Sequence, residues 1–275
     1  MRRTLEELKT RYALEPELRD TYVEGSFDRE VLSQCSGVSS NPRVFYEIDT
    51  VDVPNEIVEQ YGMGEGNKQR VIALAKELAP LNDPVHYRCL VDRDLDHWFG
   101  TLVDVPRLVW TEYCSIEAYF LDEEYLKNQM VTVAKARIKN WNAFFASLLV
   151  YLRSRFIMRL ADRKLNLGLT WVNVSKYLSV KDSALIFDVE KYRRATLNNS
   201  NKFSSEENFA AEILQWEATV GGDHRYYIHG HDFVEAIAIS LKKFNAVDGF
   251  ASVEVMERLL IQQAATHAPL FALVH

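Results

Sequence analysis

Hydrophobic and polar positions change their spacing repeatedly along the chain, and each change marks an element. Thr4 and Glu7 stand three apart before an apolar-periodic run, which predicts a capping box and a helix to about residue 14. Thr21-Tyr22-Val23 is a short β-type run ending at Glu24-Gly25, and Ser26 is placed to cap a helix over 27–34. Residues 44–53 read as extended, with Tyr46, Ile48 and Val51 among the apolar positions. After a glycine turn at 62–66, Asn67 is expected to cap a helix whose apolar face is Val71, Leu74, Ala75 and Leu78. A strand over 85–91 runs into Asp92-Arg93-Asp94, a further strand covers 107–111, and a short helix is expected near 115–121.

That alternation of strand and helix predicts an open α/β sheet of mostly parallel order. From about residue 132 the pattern changes. A proline-free, glycine-free stretch over 132–166 predicts one long helix, with Val133, Ile138, Trp141, Phe144, Phe145, Leu148, Leu149, Leu152, Phe156 and Leu160 forming its apolar stripe. Extended pieces follow within 165–189, then a polar loop at 198–205 and helices over 205–219, 231–245 and 253–265. The expected organisation is a catalytic α/β domain over 15–122 and a mainly helical region over 123–275.

A hydrophobic content of 48% in 275 residues is enough for one large core or two small ones. No apolar run is long enough to span a bilayer and the first ten residues lack a signal-peptide core, so a cytoplasmic location is expected. The three cysteines, Cys35, Cys89 and Cys114, show no zinc or disulfide spacing and are expected as buried thiols. The net charge of −7 conceals an asymmetry. Residues 1–126 hold 13 Lys/Arg against 25 Asp/Glu, whereas 127–202 hold 15 against 4. An acidic part followed by a basic one suits a cation-dependent enzyme acting on a polyanion. A basic helical face neutralised by acids elsewhere in the fold accounts for the same numbers.

Glu24 and the Asp92/Asp94 pair fall at predicted carboxyl ends of strands, where open α/β sheets bind ligands. Alternate residues of an extended segment point the same way, so Asp92 and Asp94 are expected to face one point, with Glu24 beside them. Converging carboxylates repel unless a hard cation lies between them, and Mg²⁺ takes such oxygen ligands while keeping waters for a phosphate substrate. Ser115 and Glu117 are placed to add a hydroxyl and a carboxylate, which allows a second ion. The structural alternatives are that Glu24 or Asp96 caps a helix, that the aspartates are solvated turn residues, and that Ser115 is an N-cap.

V-E-G at 23–25, D-R-D at 92–94 and S-I-E-A-Y-F-L at 115–121 together resemble the Toprim family, and within it the OLD-type nucleases. The glycine turn before N-K-Q-R-V-I-A-L-A-K is similar to that family's loop ahead of a helix. More narrowly, the chain resembles the AriB-like effectors of PARIS anti-phage systems, well over 15–122 and loosely through R-Y-Y-I-H-G-H-D-F at 225–233. The resemblance implies a Toprim-like, mostly parallel sheet with flanking helices. It implies that Glu24 is the catalytic glutamate, that Asp92 and Asp94 hold Mg²⁺ (with Mn²⁺ as substitute), and that Ser115 and Glu117 serve a second ion. His231, between Gly230 and Asp232, stands where the family has a lysine, so the transition-state cation departs from the pattern, and His231 is either a cationic stabiliser or a structural residue. The resemblance further implies an endoribonuclease that cuts tRNA. It would be held inactive by a partner ABC-type ATPase, released through that complex by a phage trigger protein, and homodimeric when free.

Other signals carry less. The glycines at 62, 64 and 66 match neither a Walker A loop nor G-x-G-x-x-G. His224, His229 and His231 lack partners at zinc spacing. Trp141, Tyr151, Trp171 and Tyr177 can stack on bases, but their spacing suits core packing. The competing functions are an OLD-like DNA endonuclease and a non-catalytic regulatory subunit of the ATPase complex.

Overall fold

A computed structural model describes residues 2–37, 42–81 and 84–274. The chain divides into two compact units, one of residues 1–93, 101–112 and 258–275, the other of residues 94–100 and 113–257.

The first unit is built on parallel strands. β1 (Arg3–Thr4) leads into α1 (Leu5–Leu14), opened by the expected capping box: Glu7 N–H donates to Thr4 Oγ1 at 3.2 Å and Thr4 N–H to Glu7 Oε2 at 2.7 Å. β2 (Asp20–Val23) is followed by α2 (Ser26–Ser36). The cap of α2 is Gly25 rather than Ser26, and the donor it leaves is satisfied from inside the helix, by Asp28 Oδ2 at 3.2 Å from Gly25 N. The extended stretch over 44–53 is two strands, β3 (Val44–Glu47) and β4 (Val51–Asp52), separated by a 3₁₀ turn at Ile48–Thr50. Thr50 Oγ1 donates to Glu47 O at 2.7 Å and holds that turn. β4 pairs with β1.

α3 (Asn55–Gln60) and α4 (Asn67–Leu78) come next. Gly66, at φ +138, takes the cap position of α4 because a side-chain-bearing residue is strained there, and this leaves Asn67 for another bond. β5 (Arg88–Val91) and β6 (Leu108–Trp110) complete a four-stranded, wholly parallel sheet of order β3-β2-β5-β6. Leu8 and Tyr12 of α1, Val71, Leu74, Ala75 and Leu78 of α4, and Tyr22, Cys89 and Val91 of the sheet share one buried core. Burying such surface, at about 25 cal/mol per Å², is what fixes both helices on the strands.

The second unit is mainly helical: α5 (Asp96–Phe99), α6 (Glu123–Lys127), α7 (Trp141–Leu165), α8 (Val189–Asn199), α9 (Glu206–Thr219) and α10 (Gly230–Lys243). An antiparallel hairpin, β7 (Leu178–Lys181) and β8 (Ala184–Phe187), turns through Asp182 and Ser183, both at positive φ as such tight turns require. The helix expected over 132–166 begins only at Trp141. A π-helical turn occupies Asn128–Val133, Lys135 has φ +58, and Asn140 Oδ1 caps the new helix by accepting from Ala143 N at 3.1 Å. From there most of the predicted stripe holds, with Trp141, Phe144, Leu148, Leu152, Phe156 and Leu160 buried and Phe145 and Leu149 half-buried, whereas Val133, ahead of the helix, is exposed. α11 (Val253–Ala264) and α12 (Phe271–Val274) follow.

Cys35, Cys89 and Cys114 are buried thiols, as expected. No described helix is long and apolar enough to cross a membrane.

Candidate functional site

The chain passes from β2 outward to β3, then returns over β2 to lay down β5 on its other side. The gap between β2 and β5 is therefore the point where strand order reverses, and parallel α/β sheets bind ligands beyond the carboxyl ends of their strands at such a point. Tyr22 is in register with Cys89, so Glu24, one residue past β2, and Asp92, one past β5, emerge side by side. Glu24 Oε1 accepts from the Asp92 backbone N–H at 3.0 Å. Asn67, released from capping by Gly66, donates its Nδ2 to Glu24 O at 2.9 Å. Thr111 secures the other side: its N–H donates to Val91 O at 3.0 Å and its Oγ1 accepts from Arg93 N at 3.1 Å. Both acids are half-buried.

Asp94 departs from the extended geometry expected of Asp92-Arg93-Asp94. β5 ends at Val91, and Asp94 sits at φ +42, so strand alternation does not carry across these residues. Aspartate tolerates this left-handed conformation better than most side chains. Within the second unit, Asp94 N–H donates to Cys114 O at 2.7 Å and Cys114 N–H to Arg225 O at 2.9 Å, which fastens the turn carrying Ser115 and Glu117 beside Asp94.

Ser115 is not a helix cap. The 3₁₀ turn Glu117–Phe120 starts from Ile116 without a side-chain cap, and Ser115 Oγ is buried with no hydrogen-bond partner. Glu117 is half-buried as a residue, but its carboxyl is enclosed, and this burial raises its pKa. The Asp94 charge raises it further, while a backbone amide, the nearby Ser115 hydroxyl and His231 oppose the shift. The hydroxyl thus lies near the carboxylate without forming a well-aligned hydrogen bond to it. Gly230, the first residue of α10, makes this packing possible. A methyl group there would lie 2.6 Å from Ser115 Oγ and closer still to Glu117 Oε2.

The next residues of α10 build a second feature that the sequence pattern did not single out. Asp232 is almost fully buried, which alone would raise its pKa, yet Arg159 and Arg155 hold it down at about 2. Arg159 Nε donates to Oδ2 and its Nη2 to Oδ1, each at 2.7 Å, and Arg155 Nη2 adds a third bond of 2.7 Å to Oδ1. Both guanidinium groups also lie over the Trp171 ring, at 5.8 and 5.4 Å. These residues, with exposed His231 and Asn173 and half-buried Glu235, line an open pocket of about 540 Å³. His229, whose ring is 6.2 Å from that of His231, is held toward the neutral form by burial and by Arg159, and its Nδ1 has no hydrogen-bond partner. The i, i+4 spacing of Arg155 and Arg159 was the available signal; their acid partner lies 73 residues beyond Arg159.

Much of the positive charge of 127–202 is spent inside the second unit. Arg155 and Arg159 pair with Asp232, Arg163 with Asp96, and Arg193 and Arg194 with Glu206. Arg153 caps backbone carbonyls of Glu217 and Val220. Asp96 is the first residue of α5 and a salt-bridge partner. Trp141 and Tyr151 are core residues, whereas Trp171 is only half-buried.

Among the described residues, no group of three or more His, Cys, Asp or Glu side chains is gathered closely enough to hold a metal ion. Taken unit by unit, the side chains are oxygen donors of the type a hard cation takes: the Glu24 and Asp92 carboxylates in the first, and Asp94, Glu117 and the Ser115 hydroxyl in the second. Compared with known proteins, the chain matches no family model and no curated protein.

Proposed function

We propose that this protein is a Mg²⁺-dependent nuclease of the Toprim kind that cuts RNA, with tRNA as the foremost substrate. The observation that carries the reading is the placement of Glu24 against Asp92 at the switch point of a parallel sheet. Parallel α/β sheets bind ligands at that position, and a cation-dependent phosphodiesterase needs carboxylates there.

Glu24 acts as cation ligand or general base, and Asp92 and Asp94 as ligands. Ser115 and Glu117 supply oxygens for a second ion, and their burial keeps water from competing for them. Mg²⁺, when bound, neutralises the scissile phosphate and lowers the pKa of the attacking water. His231, exposed beside Arg155 and Arg159, is the candidate cation for the charge that develops on phosphate oxygens. On the same reading the enzyme serves anti-phage defence, restrained by an ABC-type ATPase until a phage protein triggers its release.

The test compares total RNA from cells expressing the wild type and Glu24→Ala, alongside purified protein incubated with Mg²⁺ and either tRNA or plasmid. Discrete tRNA fragments made only by the wild type support the reading. Plasmid nicking with tRNA intact replaces it with a DNA endonuclease. Identical toxicity and no cleavage by either protein leave a regulatory subunit.

A further inference from the structure

The opposite, amino-terminal edge of the same sheet carries a cluster of positive charge that the nuclease reading does not use. Arg19 immediately precedes β2, Arg43 precedes β3, and Arg88 opens β5. The strands are adjacent and in register, Asp20 against Val44 and Thr21 against Arg88, so the sheet itself brings the arginines together. With His86 and Glu17 they line an open pocket of about 560 Å³.

Arg43 is the residue that makes this more than a charged surface. It is 7% exposed, and its Nη1 donates to His86 O at 2.8 Å. Its Nε is buried and has no hydrogen-bond partner. An unpaired donor on a buried cation is costly, and an anion bound in the pocket would offset the charge it carries. Burial, then the charges of Arg88 and Arg19, push the Arg43 pKa down to about 10, so the cluster repels itself. Arg88 is likewise lowered by burial and by Arg19. The charge of buried Asp20 opposes the Arg43 shift only in part; its carboxylate accepts from Tyr12 Oη at 3.0 Å and pairs with Arg11 at 3.5 Å.

We infer that Arg19, Arg43 and Arg88 form a phosphate-binding pocket at the amino-terminal edge of the sheet, separate from the acids at its carboxyl edge. Three guanidinium groups supply planar, charge-assisted donors matched to a phosphate with two or more negative charges. The intervening strand is about 13 Å long at roughly 3.3 Å per residue, too far for one phosphate to touch both edges. The phosphate comes either from a small molecule or from the end of a polynucleotide.

The experiment uses the full chain in EDTA at constant ionic strength. Pyrophosphate is titrated by calorimetry with parallel thermal melting, and 5′-phosphorylated and 5′-hydroxyl RNA oligomers of one sequence are compared by fluorescence anisotropy. Saturable binding that weakens at least tenfold in both Arg19→Gln and Arg88→Gln, but not in Arg29→Gln, is the expected result. Binding of pyrophosphate alone assigns a small-molecule source, and preference for the 5′-phosphorylated oligomer a polynucleotide end. Absence of saturable binding by every probe, or equal affinity in the pocket variants, overturns the inference. Every measurement is of binding in EDTA and none of cleavage, so failure of the nuclease reading leaves this result intact.

Discussion

Glu24 Oε1 and the backbone N–H of Asp92, 68 residues apart in sequence, meet at 3.0 Å across the gap between β2 and β5. The bond makes Glu24 a brace for the loop after β5 as well as a candidate catalytic group, and these two roles respond differently to substitution. Glu24→Gln keeps an oxygen acceptor for the amide and removes the charge. It is expected to melt within a degree or two of the wild type and to lose RNA cleavage. Glu24→Ala also loses the acceptor and should be about 1 kcal/mol less stable. Urea denaturation and gel assays on the same preparations check both, and full cleavage by Glu24→Gln removes Glu24 from the catalytic set.

Gly230 lies where Ser115 and Glu117 leave no room for a side chain. Gly230→Ala should cost roughly 1–3 kcal/mol through overpacking. Gly64, where an added methyl group would meet nothing within 4 Å, serves as control. Gly64→Ala is expected to change stability by about 0.5 kcal/mol or less. Equal denaturation midpoints for the two variants would show that α10 shifts freely.

Glu117 has a folded pKa above its ordinary value of 4.5, from burial first and Asp94 last. Its contribution to stability is full below about pH 4.5 and is lost as pH rises through the raised value, because the folded carboxyl must then ionise in an enclosed site. Glu117→Gln removes that loss and should raise the melting temperature at pH 8 in EDTA. A bound cation reverses the situation, so Mg²⁺ should stabilise the wild type more than Glu117→Gln, which keeps Glu24, Asp92 and Asp94. A Mg²⁺ shift of equal size in both proteins places the ion away from Glu117.

Asp232 runs the opposite way. Its pKa falls from 3.8 to about 2 under the hold of Arg159 and Arg155 against the effect of burial, so its contribution is complete above pH 3.8 and disappears as pH drops through about 2. The shift corresponds to about 2 kcal/mol. Asp232→Asn leaves two arginines without their acid and should cost about 3–5 kcal/mol at neutral pH. Denaturation across pH 2–6 tests it: the wild type should lose stability toward low pH by more than the variant does.

Local chemistry was sufficient for much of the first unit. The Thr4–Glu7 capping box, the α4 face of Val71, Leu74, Ala75 and Leu78, and the strands ending near Glu24 and Asp92 each depend on neighbours within a turn or two, so residue type and spacing determine them. The same holds for the apolar stripe of α7 from Trp141 onward. What the tertiary structure alone decided involves partners far apart in the chain or a change in backbone sign. Strand order placed Glu24 beside Asp92; the left-handed turn at Asp94 ended the alternation that sequence spacing implied; and Asp232 consumed Arg155 and Arg159, which read in sequence as part of a basic face. A hydrophobic period records which side of an element is buried, but carries no record of which distant charge or strand it will meet.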